Sequence, residues 1–365
     1  MFKYFDYYFM ILGIKFLRSN WIITLINNLI FILITCSSLA ILVIRSFDQT
    51  QWLVKLTYIL GNGCFIFCNL WFRYKRQLVL NYRRQLELKF DNQSKSELRR
   101  FYRITIRTII IRFLIIFSAF GYFYSQTPAE DQVRSFTANQ TLIRGNPMVN
   151  YLLHYVDLIQ TIGQLHWIQF GSNIYSYVAV SIEVHKRQWI RKIMATIDLN
   201  QNQLIRLLIE LDRHRQLSNH FEQHFNILPL TWLSFIFVGV SGSLRHLSSE
   251  NVTSPAAQLM TYSMIGSTAI VMFAMIHSVN QGIEQTQSFY HQLYQKLTIS
   301  MSHIQTIPNI RTSDRSGYIF LAIKLDIEKK TIYTASGLFD LNNGLIITFT
   351  SGLISFTVMF LQLSG

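Results

Sequence analysis

Charge, cysteine and proline are all scarce in this chain of 365 residues. Only 14% of residues are charged, against about a quarter in an ordinary soluble domain. With half the residues hydrophobic, that deficit argues against a large soluble fold and for a polytopic membrane protein. Five prolines leave long helices uninterrupted. Three cysteines, Cys36, Cys64 and Cys68, all fall within apolar segments and read as small buried hydrophobes. Cys64 and Cys68 are one helical turn apart, but no further ligands accompany them, so no metal site is expected. His-Glu-x-x-His, a phosphate-cradling glycine loop and Gly-x-Ser-x-Gly are missing, so no enzymatic activity and no cofactor are expected. No cleavable signal peptide is expected either, because the first apolar run is too long for one.

What is present is a series of long apolar runs. Seven fit membrane spans, at about 21–44, 52–72, 104–124, 151–176, 227–244, 257–277 and 343–362. The expected fold is all-α, with seven transmembrane helices. Between spans four and five, Trp189, Ile190, Ile193, Ile197, Leu204, Leu207 and Leu211 alternate with charge at helical spacing. Ser288 to Leu297 and Ile319 to Ile332 follow the same pattern after span six. These segments suit cytosolic helices that continue from the spans and pack together. Two portions result. Residues 1–277 hold spans one to six, with a helical cytosolic segment over 183–226, and residues 278–365 hold further cytosolic helices and the last span.

Basic residues orient the bundle. Lys3, Lys15 and Arg18 precede span one, and the loop after span two is dense, including Arg73, Lys75, Arg76, Arg83, Arg84, Arg99, Arg100 and Arg103. Lys186, Arg187, Arg191, Lys192, Arg206, Arg213 and Arg215 follow span four, and more follow span six. The alternate loops hold only Arg45, Arg134, Arg144 and Arg245. The positive-inside rule therefore places the N-terminus in the cytosol and the C-terminus outside. The sequons at Asn139 and Asn251 fall in the outer loops and are candidate glycosylation sites. The net charge of +14 is spread over membrane-flanking loops, which does not fit a nucleic-acid partner. This orientation is the reverse of a G-protein-coupled receptor, and the Asp-Arg-Tyr and Asn-Pro-x-x-Tyr motifs of that class are missing.

The last span carries a polar stripe. Thr348, Ser351, Ser355 and Gln362 follow steps of three, four and seven, which puts them on one side of a helix. Span four carries another, with His154, Asp157, Gln160, Gln164 and Trp167 spaced by three and four. A carboxylate inside a bilayer is costly and usually faces a partner or a cavity. Asp157 accordingly has two readings: it contacts a ligand, or it bonds His154 or another span and holds the bundle together. Phe120, Tyr122, Tyr124, Tyr151, Tyr155 and Tyr262 lie at the same outer level. Arg107 and Arg112 are expected to snorkel to the headgroups from span three. Trp52, Tyr124, Tyr151 and Trp232 suit interface anchors as well as they suit a pocket.

The end of the chain resembles the insect gustatory receptor family. The hallmark of that family's last span is Thr-Tyr, five hydrophobic residues, then Gln-Phe. Here Ser355-Phe356 is followed by Thr357-Val358-Met359-Phe360-Leu361 and then Gln362-Leu363. Upstream, Ala335-Ser336-Gly337-Leu338-Phe339-Asp340-Leu341 resembles the family's Ala-Ser-Gly-x-Phe-Asp-Leu segment. The resemblance implies a ligand-gated, non-selective cation channel in the plasma membrane of sensory neurons. It would be a homotetramer or a heteromer with other subunits, with four copies of the last helix around the pore.

On that footing Thr348, Ser351, Ser355, Met359, Gln362 and Leu363 are the candidate pore lining. Neutral oxygens there suit weak ion selectivity, and Leu363 would stand at a hydrophobic gate. The alternative for the hydroxyls is bonding to carbonyls of the preceding turn. Asp340 would attract cations to the inner mouth or cap the last helix. Phe120, Tyr124, Tyr151, His154, Tyr155, Asp157, Gln160, Gln164 and Tyr262 are the candidate ligand-binding residues. Aromatics with one carboxylate suggest a bitter or other non-sugar small-molecule tastant. The alternatives are a related odorant receptor subunit and a seven-helix membrane receptor that does not conduct.

Overall fold

The computed structural model describes residues 52–87, 90–126, 147–195, 201–248, 255–305 and 333–364, with scattered helical positions between 22 and 39. Over 147–170 it describes the helix but not its side chains. Among the described residues the continuous helices are α1 (Trp52–Tyr74), α2 (Arg76–Glu87), α3 (Asn92–Gln126), α4 (Pro147–Ala195), α5 (Gln201–Phe225), α6 (Ile227–Ser248), α7 (Pro255–Gln305) and α8 (Asn343–Ser364). A two-stranded hairpin, β1 (Thr334–Ala335) and β2 (Phe339–Asp340), precedes α8. The fold is all-α, and the helical positions at 22–39 with α1, α3, α4, α6, α7 and α8 match the seven apolar runs.

Local chemistry explains the helix boundaries. Pro147 and Pro255 open α4 and α7, where a missing backbone N–H costs nothing. Asp91 caps α3, accepting the Ser94 N–H at 2.7 Å. Burial raises the Asp91 carboxyl, but the Ser94 bonds and the nearby Arg191 and Lys192 outweigh it and hold the group below its usual value. A turn at Asn226, with its N–H bonded to the Glu222 carbonyl at 3.0 Å, separates α5 from α6.

Among the described residues, Asn92–Phe123 is the one helix long and apolar enough to cross a bilayer; Ile227–Phe237 and Asn343–Ser355 are shorter apolar stretches. On α3, Ile110, Ile111, Phe113, Leu114 and Phe117 are exposed, while Arg112, Ile116, Ala119, Phe120 and Phe123 face inward against the bundle. Arg112 is only 2% exposed and does not snorkel, whereas Arg107 is exposed. The difference is rotational: Arg112 shares the helix face of Ile116, Ala119 and Phe123, and α3 packs that face against α4 and α7.

The main core lies where α1, α2, α4, α5, α6, α7 and the hairpin converge. Phe72, Tyr82, Tyr175, Ile182, Phe221, Phe225, Trp232, Ile276 and Tyr333 are all buried there. Phe221 stacks on Phe225 at 4.6 Å and meets the Tyr333 ring edge-on at 5.7 Å. Trp232 belongs to this core and is not an interface anchor. Its ring fits because position 171 is glycine, where an added Cβ would fall 2.7 Å from Trp232 Cζ2. A second cluster of Ile190, Leu207, Leu211, Leu293 and Leu297 joins the far ends of α4, α5 and α7. Of the helices expected to extend beyond the spans, those after span four and at Ser288 to Leu297 continue α4 and α7 and pack with α5 in this cluster, while Ile319 to Ile332 lies outside the described residues. Cys68 is buried as expected, but Cys36 is exposed.

Candidate functional site

The terminal helix is held by its leader. Asn342 caps α8, its Oδ1 accepting the Leu345 N–H at 3.0 Å, so Asp340 is not the cap. Asp340 instead lies exposed in β2, paired with Thr334 across the hairpin. The hairpin turn puts both Ser336 (φ 56°) and Gly337 (φ 73°) in the left-handed region, which glycine accepts freely and serine does not.

Four hydrogen bonds strap this leader to the bundle. The Tyr333 hydroxyl donates to Glu183 Oε1 on α4 at 2.9 Å. The Thr334 N–H donates to Glu222 Oε1 on α5 at 2.8 Å, and the Thr334 hydroxyl donates to the same oxygen. The Ser336 N–H donates to the Asn226 carbonyl at 2.9 Å. Glu183 also pairs with Lys186 at 2.7 Å, with both side chains fully buried. Burial and the adjacent Glu183 push the Tyr333 phenol well above its ordinary range, so it stays a neutral donor. Burial likewise raises the Glu222 carboxyl against the lowering effect of Thr334.

Beyond its first turn, α8 packs on one side only. Leu345 is buried, and Ile346, Phe349 and Leu353 rest on the core, with Phe349 edge-on to Phe237 of α6 at 5.9 Å. Thr348, Ser351, Ser355, Met359 and Gln362 are all exposed on the uncovered side, together with Ile347, Ile354 and Val358. The structure thus brings the polar stripe onto a face that no other described part of the chain covers. The Thr348 hydroxyl donates to the Gly344 carbonyl at 3.0 Å, as the alternative reading expected, which leaves its oxygen lone pairs as acceptors. The side chain of Leu363 lies outside the described residues.

The candidate ligand residues are only partly described. Phe120 is buried on the inward face of α3. Tyr262, on α7, is 55% exposed. Tyr151, His154, Tyr155, Asp157, Gln160 and Gln164 lie on α4, but their side chains, like that of Tyr124, are outside the description. Asn139 and Asn251 also fall outside the described residues. Arg112 and Trp232 both lie in the interior against expectation, and for Arg112 the spacing of four and seven from Ile116 and Ala119 carries the signal. No group of three or more potential metal ligands occurs among the described residues.

Away from α8, a polar junction ties α3 to α4 and α7. Arg187 meets Glu97 at 3.0 Å and the Gly282 carbonyl at 2.9 Å, and Arg191 meets Glu97 at 2.6 Å. Such charge-assisted bonds fix the relative placement of the three helices.

No protein-family model matches the sequence, and no curated protein matches it. Solved structures do. The insect olfactory receptor OR5 from Machilis hrabei in complex with eugenol superposes with a TM-score of 0.68 at 11% identity, over 99% of this chain and 97% of that one. A second structure of the insect olfactory receptor OR5 from Machilis hrabei gives a TM-score of 0.64 at 11% identity, over 99% of this chain and 98% of that one. The chain therefore has the seven-helix fold of these receptors.

Proposed function

We propose that this chain is a chemosensory receptor subunit that works as a ligand-gated, non-selective cation channel. The observation that carries this reading is the uncovered polar face of α8 in a chain whose fold matches an olfactory receptor end to end. In a tetramer, four such faces would meet around an axis, with Thr348, Ser351, Ser355, Met359, Gln362 and Leu363 along the pore. The Thr348 hydroxyl, its hydrogen given to a helix carbonyl, offers only oxygen lone pairs, which suits hydrated cations of several kinds. The terminal motif favours a gustatory receptor for bitter or other non-sugar tastants, assembled alone or with related subunits in the plasma membrane of sensory neurons. That the solved structures of the same fold are olfactory favours the second reading, an odorant receptor subunit.

The ligand site in this proposal lies among α3, α4 and α7, around Phe120 and the α4 stripe of His154, Asp157, Gln160 and Gln164. The neighbouring structure is in complex with eugenol, a small aromatic, and an aromatic ligand suits that lining. The test is expression of the chain, alone and with candidate co-receptors, with current recorded against panels of bitter compounds and of volatile aromatics. A ligand-evoked cation current assigns the channel role, and the responsive panel separates taste from smell. A protein that binds ligand but never conducts in any subunit combination contradicts it.

A further inference from the structure

Positive charge is concentrated where α1 bends into α2. Arg73, Lys75 and Arg76 fall within four residues, and the rings of His220 and His224 on α5 pack beside them, 4.5 Å apart. No carboxylate among the described residues pairs with Lys75 or Arg76. Lys75 Nζ lies over the Tyr74 ring at 5.4 Å, and Arg76 Nε is buried with no hydrogen-bond partner. Arg73 Nη2 donates to the neutral amide oxygen of Asn28 at 2.7 Å. The nearest acid in sequence to the two histidines, Glu222, is engaged by Thr334. The groups repel one another as expected. Burial and then Arg73 lower Arg76, while burial, His220 and Lys75 lower His224.

An exposed apolar stripe leads into this cluster. Ile59, Phe67, Leu70 and Tyr74 of α1 are exposed and recur at helical spacing, and Tyr74 is 83% exposed at the end. A tyrosine in that position marks the level of headgroups in a bilayer. By the charge map, that level is the inner leaflet, which carries anionic lipid. We propose that the α1–α2 elbow binds the phosphate-bearing headgroup of an anionic inner-leaflet phospholipid, with Lys75 and Arg76 as its contacts and the acyl chain along Phe67 and Leu70. The inference rests on the membrane reading above but not on the identity of any tastant. A lipid fits better than free phosphate because the cations adjoin an apolar track that only an acyl chain would use. Basic residues that merely set topology need neither a shared locus nor that track.

The experiment uses the full chain purified in detergent and a fluorescent phosphatidylinositol 4,5-bisphosphate, with binding followed by anisotropy. K75Q/R76Q should weaken binding about 25-fold, taking about fivefold for each cation near an anionic headgroup. R99Q/R100Q, which removes the same charge from exposed positions of α3, should leave binding within about twofold. K75R/R76K should retain it, and K75Q alone serves if the double variant does not give monodisperse protein. Equal loss in both double variants, or no loss in K75Q/R76Q, overturns the site. Soluble inositol trisphosphate binding as tightly as the lipid overturns the lipid assignment. A chain that stays monodisperse without detergent and does not enter vesicles contradicts the membrane reading itself, which is a separate result.

Discussion

Tyr333 and Glu183 are 150 residues apart in sequence and bonded at 2.9 Å, both buried, so the leader of the terminal helix is tied directly to the C-terminal third of α4. Removing the Tyr333 hydroxyl leaves Glu183 with Lys186 as its remaining close partner in this contact. Tyr333→Phe should cost about 1–3 kcal/mol, the range for depriving a buried charged group of a hydrogen bond. Thermal unfolding in detergent measures it. If α4 transmits ligand occupancy to α8, the same variant should also shift the ligand concentration for half-maximal current.

The packing of α4 on α6 depends on Gly171. Gly171→Val would drive a side chain into Trp232 and should destabilise the protein by about 1–3 kcal/mol, the usual cost of overpacking. Trp232→Leu in the same chain should recover part of that loss, because it vacates the volume the valine needs. Additive losses in the double variant would show that the two residues do not compete for space.

The hairpin turn makes an opposite pair of predictions. Ser336 holds a positive φ that a side chain makes costly, so Ser336→Gly should be neutral or slightly stabilising. Gly337→Val should cost at least about 1–2 kcal/mol for the same reason. Comparison of melting temperatures of the two variants checks both signs at once.

Glu222 gives the strap a pH dependence. Burial raises its carboxyl above the unfolded value, so the folded chain binds this proton more tightly than the unfolded chain. Its contribution to stability is therefore largest at low pH and declines as pH rises from the ordinary glutamate value through the folded one. Glu222→Gln keeps an oxygen for Thr334 and should flatten that decline. Melting temperatures from about pH 4 to about pH 7 test it, and an unchanged slope would remove Glu222 as the cause.

Much of this fold is legible in residue chemistry, and particular positions show where the reading stops. The seven apolar runs became helices because length and hydropathy act on the chain locally, and Ile190, Leu207 and Leu293 met because helical spacing placed them on facing stripes. Arg112 departs from the snorkelling that its depth in the span suggests, because rotation about the helix axis decides burial. Trp232 departs from the interface for a similar reason: the space it fills is made by Gly171, on another helix. The family-like segment Ala335–Leu341 was recognisable as a motif, but its role as a strap became visible only with the burial of Tyr333 and the bonds to Glu222. Asn342 took the cap from Asp340 because it stands one residue before the helix, where its side-chain oxygen reaches the Leu345 N–H.

The central claim is that the uncovered face of α8 faces conducting water. Its most direct test is cysteine substitution along α8, in a background with Cys36, Cys64 and Cys68 replaced by serine, with a charged methanethiosulfonate reagent applied during ligand-evoked current. The account predicts that cysteine at Ser351, Ser355 or Gln362 is modified and reduces the current, while cysteine at Phe349 or Leu353 on the packed side is not. Modification without effect on current at all three exposed positions, or equal block from the packed side, would contradict it.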